Sequence, residues 1–318
     1  MPDTRSPDPR SYVLISPCRD EAEFMRRTLD SVVAQTDRPA RWVIVDDGST
    51  DATPQILAEY AGRHDWIEVV AKPDRGARAV GPGVIEAFYA GYETIEPMDY
   101  AFLCKLDLDL DLPPRYFEIL MDRMIAEPRI GTASGQPWFR GKDGERVSER
   151  CGPEMSVGMT KFYRTECFEQ IGGFVREVMW DGLDCHKARM MGWIAVSWPD
   201  EALAFEHLRP MGSSQASIYT GRRRHGAGQW YMGSDPLYFA ATAAYKMTHP
   251  PYVLGGLASL QGYVSAWLKG KPQHEDRELV DFIRRYQREA LTKGKRRTVE
   301  RIEAERASAF SPPSASRA

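Results

Sequence analysis

Cysteine is scarce in this chain and never paired. Cys18, Cys104, Cys151, Cys167 and Cys185 stand singly, with no Cys-x-x-Cys to mark a zinc site or a disulfide framework. A reducing, cytoplasmic setting is the expectation. An excess of positive charge is missing as well: 42 Lys and Arg stand against 45 Asp and Glu, a formal net charge of −3. No global field exists to hold a polyanion, which excludes a dedicated nucleic-acid binder. Met1 to Ser11 is rich in Pro, Asp and Arg and lacks the apolar run of a secretory signal. Long apolar runs are almost absent. Pro251 to Leu268 carries no charge over 18 residues, near the minimum for a bilayer span, but three Gly, two Ser and one Gln dilute it. That dilution favours a buried or interfacial helix over a span. There is no internal repeat.

What is present is alternation. At 318 residues, 42% hydrophobic and 11% aromatic, the chain can bury one large core with an appendage, or two cores. From Tyr12 onward, short β-branched runs alternate with helical periodicity, the pattern of an α/β fold with parallel strands joined by crossover helices. Strands are expected at Tyr12–Ser16, Trp42–Val45, Trp66–Val70 and Ala101–Leu106, and a mixed sheet follows from Ile130. After Pro210 the pattern turns helical with Gly-rich breaks. The expected organisation is a flexible start (1–11), an α/β domain (12–210), a helical extension (211–306) and a disordered tail (307–318).

Ligands of open α/β sheets collect at the carboxyl ends of strands, and three acidic clusters fall there or nearby. The first, Asp46-Asp47-Gly48-Ser49-Thr50-Asp51, follows the second strand, where its simplest role is to cap the next helix. The second, Asp107-Leu108-Asp109-Leu110-Asp111, follows a strand apolar enough to be buried on both faces. In extended geometry its three carboxylates share one side and repel unless a cation sits between them; magnesium or manganese suits such oxygen ligands. The third is Trp180-Asp181-Gly182-Leu183-Asp184, ahead of an expected helix from Leu183 to Met191. Neither a P-loop nor a dinucleotide fingerprint is present, although Gly81-Pro82-Gly83 is locally Gly-rich.

Taken in order, Val45-Asp46-Asp47-Gly48-Ser49-Thr50-Asp51, Lys105-Leu106-Asp107-Leu108-Asp109-Leu110 and Ile171-Gly172-Gly173-Phe174 resemble the signatures of family 2 glycosyltransferases. The likeness runs from about Tyr12 to Pro210. It implies the GT-A fold, a mixed central sheet flanked by helices. It also implies a nucleotide-diphosphate sugar donor, foremost a UDP-sugar, a divalent Mg2+ or Mn2+ ion, and inversion at the anomeric carbon. By position, Asp47 and the neighbouring Asp46 belong to the nucleobase-reading segment, and Pro17, Arg19 and Glu21 to the loop flanking the nucleoside. Asp107 matches the carboxylate near the ribose and metal shell, and Asp109 the metal ligand. Arg75 and Arg78 lie in the loop that relatives use near the diphosphate, and His207 matches a histidine that approaches the metal. Asp181 takes the place of the catalytic base, counted back from Gly192-Trp193, with Asp184 as the alternative. Trp180 departs from the family pattern, which has an acid there.

Two features lie beyond those motifs. Arg222-Arg223-Arg224-His225, flanked by glycines, could form a lid over a diphosphate. Between Arg284 and Arg306, nine Lys or Arg face four Asp or Glu, a segment suited to an anionic bilayer or to covering a core. The bilayer alternative fits a glycan or lipid-linked acceptor and a peripheral place on the inner face of the cell membrane. Rival readings are a sugar-nucleotide pyrophosphorylase, which wants a Gly-rich phosphate loop after the first strand, and a non-catalytic sugar-nucleotide-binding or membrane scaffold protein.

Overall fold

The structure, a computed structural model, describes residues 7–76, 81–149, 151–209, 218–249, 251–308 and 310. The first half alternates as expected: β1 (Tyr12–Cys18), α1 (Met25–Val33), β2 (Arg41–Asp46), α2 (Thr53–Arg63), β3 (Ile67–Ala71), α3 (Pro82–Tyr92) and β4 (Phe102–Leu106). The order then breaks into β5 (Leu110–Asp111), α4 (Tyr116–Ala126), β6 (Ile130–Ser134), the hairpin β7 (Pro137–Arg140) and β8 (Arg146–Ser148), and β9 (Thr160–Arg164). Helices α5 (Thr165–Ile171) and α6 (Trp180–Met190) precede β10 (Ile194–Ser197) and β11 (Phe205–His207). Five helices close the chain: α7 (Ile218–Tyr231), α8 (Pro236–Lys246), α9 (Tyr252–Leu268), α10 (Arg277–Lys293) and α11 (Lys295–Ala307).

Seven strands form the main sheet in the order β10-β6-β9-β4-β1-β2-β3. β1 pairs in parallel with β2 and β4, whereas β9 runs antiparallel between β4 and β6, so the sheet is mixed. Central strands must be apolar on both faces, and every residue of β4 is buried. A dense aromatic cluster covers one face, with the Tyr12 ring 5.0 Å from Phe117 and 5.7 Å from Phe162. A second, four-stranded sheet, β5-β11-β7-β8, receives the chain just after β4.

The chain divides into two compact units: Met1–Arg176 with Trp193–Arg209 and Phe310–Ala318, and Glu177–Gly192 with Pro210–Ala309. Helix α6 thus groups with the C-terminal helices, although the expected boundary fell at residue 210. Near the chain's end, Ala307 still belongs to α11, and the Phe310 ring packs edge-on against Trp193 at 4.7 Å. Near its start, Arg10 donates to Asp122 at 2.7 Å and also pairs with Asp37.

In the second unit, α10 buries Leu279, Val280, Phe282, Ile283 and Tyr286, and α11 buries Val299 and Ile302. The apolar side of the basic 284–306 segment therefore covers a core. The Arg222–His225 segment is not a Gly-hinged loop. It lies within the 14-residue helix α7, whose Gly226 backs so closely on α9 that an added Cβ would stand 1.9 Å from the Ser259 carbonyl oxygen. No helix among the described residues is long and apolar enough to cross a membrane.

Candidate active site

The carboxyl ends of β1, β2 and β4 lie side by side, because these strands are parallel neighbours. At the end of β2, the Asp46 side chain accepts from the Ser49 N–H at 2.9 Å and so closes the turn. Gly48 is required there: its φ is +76°, and a Cβ would come within 2.4 Å of the Asp74 Cα. That close approach brings the segment after β3 onto Asp47. Arg75 pairs with the Asp47 carboxylate and donates to Glu86 at 3.0 Å, while Lys72 Nζ stands 3.4 Å from Asp47 Oδ1. Asp47 is buried, and among the described residues its Oδ1 has no hydrogen-bond donor. Arg78 lies outside the described residues.

The loop after β1 is tied to the same place. Pro17 sits in β1 opposite Val45. Arg19 donates to the Asp47 carbonyl at 2.7 Å and to Asp74 at 2.6 Å. The backbone N–H groups of Asp20 and Glu21 already donate to Ser49 Oγ and Thr53 Oγ1, both at 2.9 Å. A loop so occupied is a poor phosphate cradle, which argues against the pyrophosphorylase reading. Glu21 itself pairs with Arg209.

The end of β4 carries the sharper chemistry. Lys105, fully enclosed in the strand, donates to the Gly158 carbonyl at 3.0 Å and pairs with the half-buried Asp107. Asp109 Oδ2 lies 3.6 Å from His207 Nε2 and 3.9 Å from Arg209 Nε. His207 Nδ1 is 2.9 Å from the buried Glu149 carboxylate, which fixes the ring with Nε2 toward Asp109. Burial pushes the Asp107 carboxyl up; Lys105 opposes this and Asp109 adds to it. Burial acts the same way on Asp109, but its contact with His207 outweighs it and holds Asp109 below the ordinary value. His207 is pushed up to about 9: burial lowers it, and the two carboxylates more than compensate.

Asp111 does not join this group, contrary to the alternation of the sequence. The chain leaves the first sheet after Leu106 and enters the second at Leu110, where Asp111 pairs with Glu206 in the register of β5 and β11. Arg27 bridges both acids, reaching Glu206 at 2.8 Å. Among the described residues no three His, Cys, Asp or Glu already stand in ligating geometry. The donor set nevertheless fits a hard divalent cation: two carboxylates with raised mutual repulsion, and an imidazole anchored through its far nitrogen. Lys105, Glu149 and Arg209 are the participants that spacing did not reveal; the only trace of Lys105 was a lone cation in an apolar strand.

In the second unit, Asp181 occupies the first turn of α6 and Asp184 is buried one turn on, its carboxylate accepting the Cys185 N–H at 2.6 Å. The helix begins at Trp180, earlier than expected, after Met179 at φ +73°. A non-glycine residue in that region is strained, as functional sites often are. On α7, His225 Nε2 lies 3.3 Å from Lys246 Nζ.

Comparison with known proteins identifies the fold and the family. A mannosyltransferase from Pyrobaculum calidifontis, solved with GDP-Man and Mn2+, superposes with a TM-score of 0.50 at 19% identity, covering 97% of this chain and 90% of that one. GalNAc-T7, solved with UDP, GalNAc and Mn2+, gives 0.55 at 15% identity over 95% and 58%. These likenesses establish the GT-A fold. Among curated sequences, the poly-beta-1,6-N-acetyl-D-glucosamine synthase of Staphylococcus aureus (strain COL) is 25% identical over 142 residues, 44% of this chain and 32% of that protein. The Staphylococcus epidermidis synthase is 27% identical over 126 residues, 39% and 28% respectively. The match thus spans about a third of these relatives' length. Residues 13–176, just over half of the chain, match the model named Glycosyl transferase family 2, and the chain belongs to that family.

Proposed function

We propose that this protein transfers a sugar, with inversion, from a nucleotide-diphosphate donor to a hydroxyl of a glycan or of a lipid-linked acceptor. The observation that carries the reading is the grouping of Asp107, Asp109 and His207 at the end of β4, with His207 held by Glu149. Asp109 and His207 would hold a divalent cation, Mg2+ or Mn2+, with Asp107 beside it. When bound, the ion supplies the positive charge that stabilises a departing diphosphate. Lys105 keeps Asp107 in place, and Arg209 ties Asp109 to Glu21, so the carboxylates are held before any donor arrives.

Asp47 is the candidate nucleobase reader, since its buried Oδ1 has an acceptor position to offer a ring N–H. A UDP-sugar is the donor we favour, in keeping with the UDP bound to GalNAc-T7. Arg75, now on Asp47, has to be displaced or shared when a base binds there. Asp181 is the proposed base that takes the acceptor's proton, by its position in the family's order of motifs, with Asp184 the alternative.

Nucleoside diphosphate release from a panel of sugar nucleotides, with manganese and with or without acceptor, tests the reading. Asp109→Asn should abolish manganese-dependent donor binding in calorimetry. Asp181→Asn should leave donor affinity intact while turnover falls by roughly 10²–10⁴-fold. Full activity in Asp181→Asn with loss in Asp184→Asn moves the base, and donor binding indifferent to added cation overturns the metal reading.

A further inference from the structure

Helix α9 is built inside out for a protein in water. Its buried positions are Gly255, Gly256, Ala258, Ser259, Gly262, Tyr263 and Ala266. Its large apolar residues point outward: Leu254 is 58% exposed, Leu257 48%, Val264 41%, Trp267 58% and Leu268 74%. Spacings of three and four place them in one stripe, broken only by Gln261. The small residues have a mechanical reason, since at Gly262 an added Cβ would stand 2.0 Å from the Arg223 carbonyl oxygen of α7. Apart from Tyr263, which stacks on Phe239 of α8, small residues lie inside and large apolar residues outside, as helices pack in hydrocarbon.

The neighbouring α8 also turns large apolar side chains outward. It buries only Phe239 and Ala243, and it exposes Leu237 (74%) and Tyr245 (63%). Charge is arranged to match. Between Asp235 and Glu275 the sequence has no acidic residue, while Lys246, Lys269 and Lys271 stand at the ends of the two helices. Among the described residues neither Lys246 nor the nearby Arg222 has a carboxylate partner. Tyr252 and Trp267 sit at the two ends of α9, where a headgroup layer favours amphipathic rings. At 17 residues α9 is about 25 Å long, too short for a hydrocarbon core of about 30 Å.

We infer that the exposed face of α8 and α9 is a bilayer-docking surface, on which Leu237, Leu254, Leu257, Trp267 and Leu268 enter the headgroup–acyl boundary and the flanking lysines meet anionic lipid phosphates. The inference is independent of the catalytic reading, because none of these residues belongs to the metal or donor site. It places the contact on α8 and α9, not on the basic 284–306 segment.

The test is co-sedimentation of the full chain with vesicles of phosphatidylcholine, alone or mixed with phosphatidylglycerol. The wild type should bind the anionic vesicles at least tenfold more tightly than the neutral ones. The triple variant Leu254→Gln, Leu257→Gln, Trp267→Gln should lose at least tenfold in binding, with unchanged circular dichroism and thermal midpoint. Lys269→Gln with Lys271→Gln, which leaves the apolar face intact, should reduce only the preference for anionic lipid. Absence of wild-type binding overturns the proposal, as does equal binding by the triple variant. So does a wild-type dimer that fails to bind vesicles and that the triple variant dissociates, since the face would then belong to a second copy of the chain.

Discussion

Helices α9 and α10 have the same length, 17 residues each, and opposite logic. In α10 the large apolar side chains, Phe282, Ile283 and Tyr286, are buried and Arg277, Arg285 and Arg288 face water. In α9 glycine, alanine and serine are buried and leucine, valine and tryptophan face out. Amphipathic periodicity marks which residues share a side, and in α10 that is enough to know which side is inward. In α9 it is not, because the partner is another glycine-bearing helix whose close approach leaves room mainly for small residues, Tyr263 excepted. The lesson is that a low-charge, glycine-diluted helix can be neither core nor span.

The largest expected contrast comes from truncating matched side chains. Phe282→Ala should cost about 3–5 kcal/mol, since it empties a buried position. Leu254→Ala should stay within about 0.5 kcal/mol in vesicle-free buffer. Urea unfolding followed by circular dichroism measures both, and equal losses would erase the distinction between the helices.

Next in size is Gly226→Ala, which drives a methyl into the Ser259 carbonyl and should cost about 1–3 kcal/mol despite alanine's better helix propensity. A neutral or stabilising outcome would mean that α7 and α9 do not pack so closely.

The smallest effect concerns the basic rim. Lys246 is pushed down to about 8 by burial, with Arg222 and Lys295 adding to it. Below that pH the folded chain carries the full penalty of a charged Lys246. Between about 8 and the ordinary value of 10.5 only the unfolded chain keeps the proton, so the penalty fades as pH rises. Lys246→Met should therefore raise the thermal midpoint at pH 7 by about 2–4 °C, and the gain should vanish above pH 10.5. A gain independent of pH would attribute the effect to packing alone.

Much of the fold was legible because it rests on local patterns. The almost wholly apolar β4 announced a strand covered on both faces, and Asp107 and Asp109 directly after it marked the mouth of the sheet. Asp111 misled, since alternation holds only while the backbone stays in one sheet. Glu149 and Arg209 were invisible for a different reason. Glu149 lies 58 residues from His207, and Arg209 lies 188 from Glu21, so only the sheet topology makes them neighbours. Arg222 to Arg224 looked like a hinged loop because glycines flank them, yet Gly226 serves close contact with α9.

The chain's own order of residues determined the alternating strands and helices, the acidic ends of β2 and β4, and the uncharged stretch from Pro251 to Leu268. Those are short-range properties, set by side-chain period and backbone preference. Tertiary structure alone decided that Glu149 would hold His207 from its far nitrogen with the near one toward Asp109, that Asp111 would be drawn away to Arg27, and that α9 would turn its leucines outward. Each of these depends on which distant backbone comes close and how much room it leaves, and spacing along a sequence carries no record of that.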